Sequence, residues 1–205
     1  MMKPGFLAVS LTINLINMMK SILFAVSITA VVTACQPTQG SENNTASTLD
    51  SAAMVKRGEY LVNTIGCDDC HSPKEMGPKG PQLVADKRLS GYPADRPLPP
   101  IDTAHLAKGW ALMFADLTAA VGPWGVSFAS NITSDETGIG SWTEAQFINA
   151  MRKGKYKGLD TGRDLLPPMP WPNFSKLTDE DLKSIYAFLK TTNPVKNIAP
   201  EPRGL

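Results

Sequence analysis

Cys67-Asp68-Asp69-Cys70-His71 is the stretch that decides the reading of this 205-residue chain. Its pattern, C-x-x-C-H, is the attachment signature of c-type haem. Two thiols three positions apart can each add to one vinyl group of a porphyrin, and the adjacent imidazole is then held under the iron as a ligand. The same two cysteines would also suit a redox dithiol or half of a zinc site. A dithiol motif, however, needs a strand-to-helix context, and zinc needs two further ligands. The chain has three cysteines and two histidines in all, so only Cys35 and His105 remain outside the motif. The motif therefore implies one covalent haem c, attached through Cys67 and Cys70, with His71 as an axial ligand.

Composition narrows the partners. Lys and Arg number 20 against 19 Asp and Glu, a formal charge of +1, which argues against a nucleic-acid-binding or polybasic membrane surface. Hydrophobic residues make up 42% of the chain, enough to bury a core. The 17 Pro and 16 Gly, by contrast, require long irregular segments.

The N-terminal residues read as targeting sequence. Asn14, Asn17 and Lys20 split residues 1–34 into two apolar runs, and the second, Ser21 to Ala34, has only 14 residues. That is short of the roughly 20 a membrane-crossing helix needs. It suits a signal-peptide core behind Met18-Met19-Lys20, where translation would also be able to start. The run closes in Val32-Thr33-Ala34-Cys35, which resembles the lipobox of bacterial lipoproteins. Residues 1–34 are then a lipoprotein-type signal peptide and residues 35–50 an acylated Cys35 followed by a flexible tether, QPTQGSENNTASTLD. An uncleaved anchor helix is the other reading. Either exports the domain, and several acyl chains hold a protein durably at a membrane.

Helical periodicity marks three elements in the folded part. Met54, Gly58, Leu61 and Ile65 fall on one face of a helix preceding the cysteines, with Gly58 suited to a close helix crossing. A second helix starts at Thr143, with Gln146 completing a capping box and Trp142 placed to staple onto Phe147, and it ends at Gly154. The third is capped by Thr178 and opens with Asp179, Glu180 and Asp181. Its core face carries Leu182, Ile185, Tyr186 and Leu189, with Leu177 as staple.

With the C-x-x-C-H motif, the segment Met54-Val55-Lys56-Arg57-Gly58-Glu59-Tyr60-Leu61-Val62 resembles the class I cytochrome c family. That resemblance implies a mainly α fold in which the N-terminal helix crosses the C-terminal one at a small residue. It also implies a sixth iron ligand from a methionine in a Pro-bearing loop ahead of the last helix. Leu165-Leu166-Pro167-Pro168-Met169-Pro170-Trp171-Pro172 is such a loop, stiffened by four prolines, and it makes Met169 the ligand opposite His71. Met113 and Met151 are the rival thioethers, and His105 the rival imidazole.

Residues 72–141 exceed what a minimal member of that family requires. Up to Ile101 this insertion holds seven prolines and is expected to wrap the domain as extended or turn structure. Trp110 to Leu117 and Val126 to Ile132 alternate enough for a short β-hairpin about Gly122-Pro123. Gly122-Pro123-Trp124-Gly125 and the run from Asn131 to Trp142 resemble segments of the haem domains in bacterial alcohol and gluconate dehydrogenase cytochrome c subunits. This likeness covers most of residues 54–198 and implies a haem environment that includes Asn131, Thr133, Trp142 and Trp171. Turn capping and core filling are the plainer roles for the same residues.

The expected organisation is a cytochrome c domain over residues 51–198 and a C-terminal tail over 199–205. The expected function is single-electron transfer on the periplasmic side of a bacterial membrane, with a dehydrogenase, a quinol-oxidising complex or a terminal oxidase as redox partner. A peroxidase-like haem enzyme needs acid and base groups beside an open iron position, and His105 is the only free histidine. A bis-histidine haem protein using His105 is the further alternative. Arg152, Lys153, Lys155 and Lys157 form the densest basic run, suited either to steering an acidic partner or to solvation of a helix end.

Overall fold

A computed structural model describes residues 50–205, and its first element, helix α1 (Ser51–Thr64), begins where the Asp50 carboxylate accepts the Ala53 amide at 2.7 Å. The expected signal peptide, Cys35 and nearly all of the tether lie outside the described residues. The buried face of α1 runs through Gly58, Leu61 and Val62, with Val55 and Ile65 packed beside it. Val62 is fully buried and Met54 lies outside the core cluster, so the stripe sits slightly to one side of the Met54 line. After Ile65 the chain turns at Gly66, whose φ of 82° a side chain would resist, and enters the five-residue helix α2 (Cys67–His71).

The insertion contains two small antiparallel sheets rather than one hairpin. Strands β1 (Lys74–Gly77) and β2 (Gly80–Leu83) pair with Lys74 opposite Leu83, inside the Pro-rich stretch expected as extended or turn structure. A short 3₁₀ turn (Ala85–Lys87) and helix α3 (Thr103–Leu106) follow. The second sheet has the order β3 (Leu112–Met113), β4 (Ala119–Gly122), β5 (Gly125–Phe128). The turn about Pro123 is where the sequence suggested. The strand expected over Trp110 to Leu117 is instead cut to Leu112–Met113, because Leu117 takes a left-handed φ of 66° and the chain reverses there into β4, which is the strand that pairs with β5. β5 also stops at Phe128, short of the Ile132 expected.

Helix α4 (Glu144–Lys153) carries the complete Thr143–Gln146 capping box and ends at left-handed Gly154. The loop that follows returns to the four-residue helix α5 (Trp171–Phe174) and then to α6 (Asp179–Leu189), capped by Thr178. α6 packs across α1, with Leu182, Ile185 and Leu189 almost wholly buried against Leu61 and Val62. Phe147 and Met151 of α4 close the same core. Helices and small antiparallel sheets together thus make up the domain. Among the described residues no helix is long and apolar enough to cross a membrane.

The segment expected as a tail is tied down. Arg203 exchanges both backbone hydrogen bonds with Val126, at 2.8 and 3.2 Å, adding an antiparallel bridge to the edge of β5.

Candidate functional site

Cys67, Cys70, His71 and Met169 all line one cavity of about 390 Å³, whose walls are largely apolar. α2 supplies the first three and the loop before α6 the fourth. β4 and β5 form a further wall through Ala119, Ala120 and Phe128, and Ile185 and Leu189 of α6 another.

The imidazole of His71 is oriented by a backbone group. Its Nδ1 lies 2.7 Å from the Ser130 carbonyl, which can only accept, so Nδ1–H donates and Nε2 keeps its lone pair. Burial lowers the pKa of the ring, which is therefore neutral at pH 7. The His71 carbonyl in turn accepts the Gly91 amide at 2.7 Å, joining α2 to the insertion.

Both thiols stay protonated at neutral pH. Burial, reinforced by the Asp68 charge, pushes Cys67 up to about 12, and burial with Asp69 raises Cys70. Neither is disulfide-bonded.

Asp68 anchors α2 from the opposite side. Burial would raise its carboxyl, but hydrogen bonds from Arg88 and from Ser72 at 2.6 Å outweigh that and hold it below the usual carboxylate range. Asp116 behaves alike: hydrogen bonds from Thr118 and Arg96 overcome the cost of burial. Carboxylates with depressed values contribute stability that is present above their unfolded values, near pH 4, and is lost as pH falls toward the folded ones. These two carboxylates thus contribute a level stability from pH 7 to about 5 and a loss below about 4. Asp116→Asn should cost on the order of 2 kcal/mol at pH 7 and flatten that acid limb. Thermal melts of both proteins from pH 3 to 7 measure it; parallel acid limbs would show the drop to lie elsewhere.

The loop bearing Met169 is clamped at two points just ahead of the methionine. The Leu165 amide donates to the Gly154 carbonyl at 2.6 Å, and the Ser127 hydroxyl of β5 donates to the Pro167 carbonyl at 2.7 Å. Of the rival thioethers, Met113 is 42% exposed on β3 and does not line the cavity. Met151 does line it, from the buried face of α4. His105 is more than half exposed, bonded to Asp102 at 2.9 Å, and outside the cavity lining.

The other predicted environment residues divide. Trp142 and Asn131 line the cavity, whereas fully buried Thr133 does not. Asn131 accepts from the Thr133 amide and hydroxyl and donates to the Val195 carbonyl at 2.7 Å, tying this loop to the segment after α6. Trp171 also lies outside the lining; its indole rests on Gly154, where a Cβ would stand 2.3 Å from the ring. The basic run is mostly neutralised, Arg152 by Asp179, Lys153 by Asp160 and Lys155 by Asp164. Lys157 remains, at the cavity edge beside Tyr156. Sequence reasoning missed Ser130, which acts through its own carbonyl, and Ser127 and Lys74, whose side chains donate to backbone carbonyls; such contacts leave no pattern in the sequence.

Two thiols, an imidazole with a free Nε2 and a thioether around an apolar cavity are a donor set that fits a covalently held haem. A protein-only metal cage has no such support: among the described residues no three His, Cys, Asp or Glu side chains gather to hold an ion.

No family profile matches the chain. Individual relatives do. One of the subunits of nicotinate dehydrogenase from Pseudomonas putida is 31% identical over 151 residues, 73% of this chain and 10% of that protein. The gluconate 2-dehydrogenase cytochrome c subunit of Pantoea cypripedii is 33% identical over 172 residues, 83% of this chain and 28% of its own length. The cytochrome c subunit of the quinone-dependent alcohol dehydrogenase of Gluconobacter oxydans is 31% identical over 153 residues, 73% of this chain and 24% of its own length. The chain spans between a tenth and somewhat over a quarter of the length of these relatives. Over most of its own length it is therefore a homologue of the cytochrome c subunits of bacterial alcohol, gluconate and fructose dehydrogenases.

Proposed function

We propose that the chain is an electron-carrying c-type cytochrome in which Cys67 and Cys70 hold one haem and His71 and Met169 ligate its iron. The observation that carries this reading is that these four side chains, from α2 and from a loop about a hundred residues later, line the same apolar cavity. Bound there, haem supplies a one-electron couple at its iron. The chain's residues supply the rest. Cys67 and Cys70 would hold the group through two thioether bonds, each S–H added across one vinyl group with no net oxidation. The Ser130 carbonyl holds His71 in the tautomer that leaves Nε2 for the metal. The clamped loop keeps a weak thioether donor at its post, and the apolar walls keep water from competing. A carrier is favoured over a peroxidase or a bis-histidine protein because no second imidazole lines the cavity.

The names of the relatives support a dehydrogenase as electron donor, with a quinol-oxidising complex or terminal oxidase as the alternative partner. Residues 1–34 and Cys35 support export and lipid attachment at the periplasmic side of a bacterial membrane.

The test is expression of the whole chain in a bacterial host that matures c-type cytochromes. Wild type is expected to carry one haem that survives denaturing gels and acid extraction, and Cys67→Ala with Cys70→Ala to lose at least nine-tenths of it. A wild type free of haem, or one whose haem extracts fully, sinks the proposal.

A further inference from the structure

Three charged side chains brace α2 and the loop beside it, and two of them are neutralised. Asp68 pairs with Arg88 at 2.8 Å and Asp116 with Arg96 at 2.5 Å. Lys74 is the third, and among the described residues its ammonium has no carboxylate at ion-pair distance. It sits instead in a socket of backbone carbonyls: Asp69 at 2.7 Å, Asp116 at 3.0 Å, and Asp68 and Ser72 at 3.1 Å. Three of these belong to α2 and its C-cap and flank Cys70 and His71 in the chain. The fourth precedes Leu117, which lines the cavity.

The socket does two things at once. Four carbonyl oxygens hold the ammonium without cancelling its unit charge, and partial burial weakens screening by salt. Its charge is fixed beside the attachment site, because the Asp69 and Ser72 carbonyls that hold it flank Cys70 and His71 in the chain. The socket also joins the end of α2 to the β3–β4 turn, so the attachment helix and the facing cavity wall share one anchor.

Resting on the haem reading above, we infer that Lys74 is a positioning residue that fixes the attachment helix against the β3–β4 turn and raises the reduction potential of the site. Reduction brings one electron from the redox partner and moves no other atom, so the oxidised site carries one more positive charge than the reduced one. A nearby ammonium without a counter-ion disfavours the oxidised form. Deleting it also leaves four carbonyl oxygens without their cation, which acts in the same direction.

Midpoint potentials, ferric spectra and thermal melts of the haem-loaded wild type, Lys74→Met and Lys74→Arg test this. Lys74→Met is expected to shift the reduction equilibrium about tenfold toward the oxidised form, which is about 59 mV for one electron, with the low-spin ferric spectrum retained. Lys74→Arg, which keeps charge and donors, should stay within twofold of wild type, as should Lys79→Met, an exposed lysine in the β1–β2 turn. A wild-type potential in Lys74→Met, or an equal fall in Lys74→Arg, overturns the assignment. Should Lys74→Met not fold, Lys74→Gln replaces it. Loss of both uncharged variants with a normal Lys74→Arg upholds the role, and loss of all three overturns it. A wild type without haem is a different failure, that of the function itself.

Discussion

Gly58→Ala is expected to destabilise the domain by on the order of 3 kcal/mol, a large share of the 5–15 kcal/mol typical of a folded domain. A Cβ at this position would stand 1.9 Å from the Ser184 carbonyl oxygen, 2.5 Å from its carbon and 2.8 Å from the Phe188 Cβ. Two of the three atoms are backbone, so no rotamer change relieves the contact and α6 must move away from α1. That movement loosens Leu182 and Ile185 against Leu61 and stretches the Arg57–Asp181 ion pair, now 2.9 Å long. The gain in helix propensity, about 1 kcal/mol, is too small to compensate. Denaturant titration of the haem-loaded protein measures the loss, and Ser184→Gly should not rescue it because the obstruction is main chain. A midpoint unchanged in Gly58→Ala would mean that the helices slide apart at little cost.

Met169→Ala should convert the ferric site from low to high spin, abolish the sulfur-to-iron charge-transfer band and lower the potential by on the order of a few tenths of a volt. Thioether ligation favours ferrous iron, so its loss favours ferric. Two controls separate ligation from packing. His105→Ala should leave both spectrum and potential as they were, since that side chain is exposed and held by Asp102. Met151→Ala, which removes a buried thioether from the core, should cost about 2–5 kcal/mol of stability and keep the charge-transfer band. If the band persists in Met169→Ala and disappears in Met151→Ala, the ligand comes from α4 and the proposed ligation is wrong.

The helices were legible because their signals are local. Thr143 with Gln146, Gly154 and Thr178 are caps whose partners lie three or four residues away, and each forms the hydrogen bond that its type implies. The core face of α1 was legible in kind but displaced, with Val55 and Val62 packed where Met54 was expected, because a four-residue pattern tolerates rotation of the stripe. The strands were harder. Leucine is a poor residue for a left-handed turn, so nothing in Ala115-Asp116-Leu117-Thr118 announces the reversal between β3 and β4. Prolines 78 and 81 similarly hid the β1–β2 hairpin, whose remaining amides still pair. Cysteine spacing exposed half of the candidate site, since that chemistry needs neighbours in the chain. Asn131 was visible as a polar residue worth noting, yet its bond to Val195 spans 64 residues and exists only once the fold does. The basic run was misleading for the same reason: Asp160, Asp164 and Asp179 reach it through loops that no local reading brings back.

The pairing of α1 with α6 joins residues 124 positions apart, as the Arg57–Asp181 contact measures. Closing so long a loop makes the core a late event, slow by the standards of helical domains whose contacts are local. During synthesis or export from the N-terminus the first helix has nothing to dock on until the last one has emerged. Cys67 and Cys70 lie just beyond that first helix, and the wall that half-buries them includes α6 residues Ile185 and Leu189. Their thiols are therefore exposed throughout chain emergence and shielded once it ends, which is the order the proposed haem attachment needs. On the proposed haem reading the topology sets the order: attachment first, closure second, with the bound group as a template for the final docking.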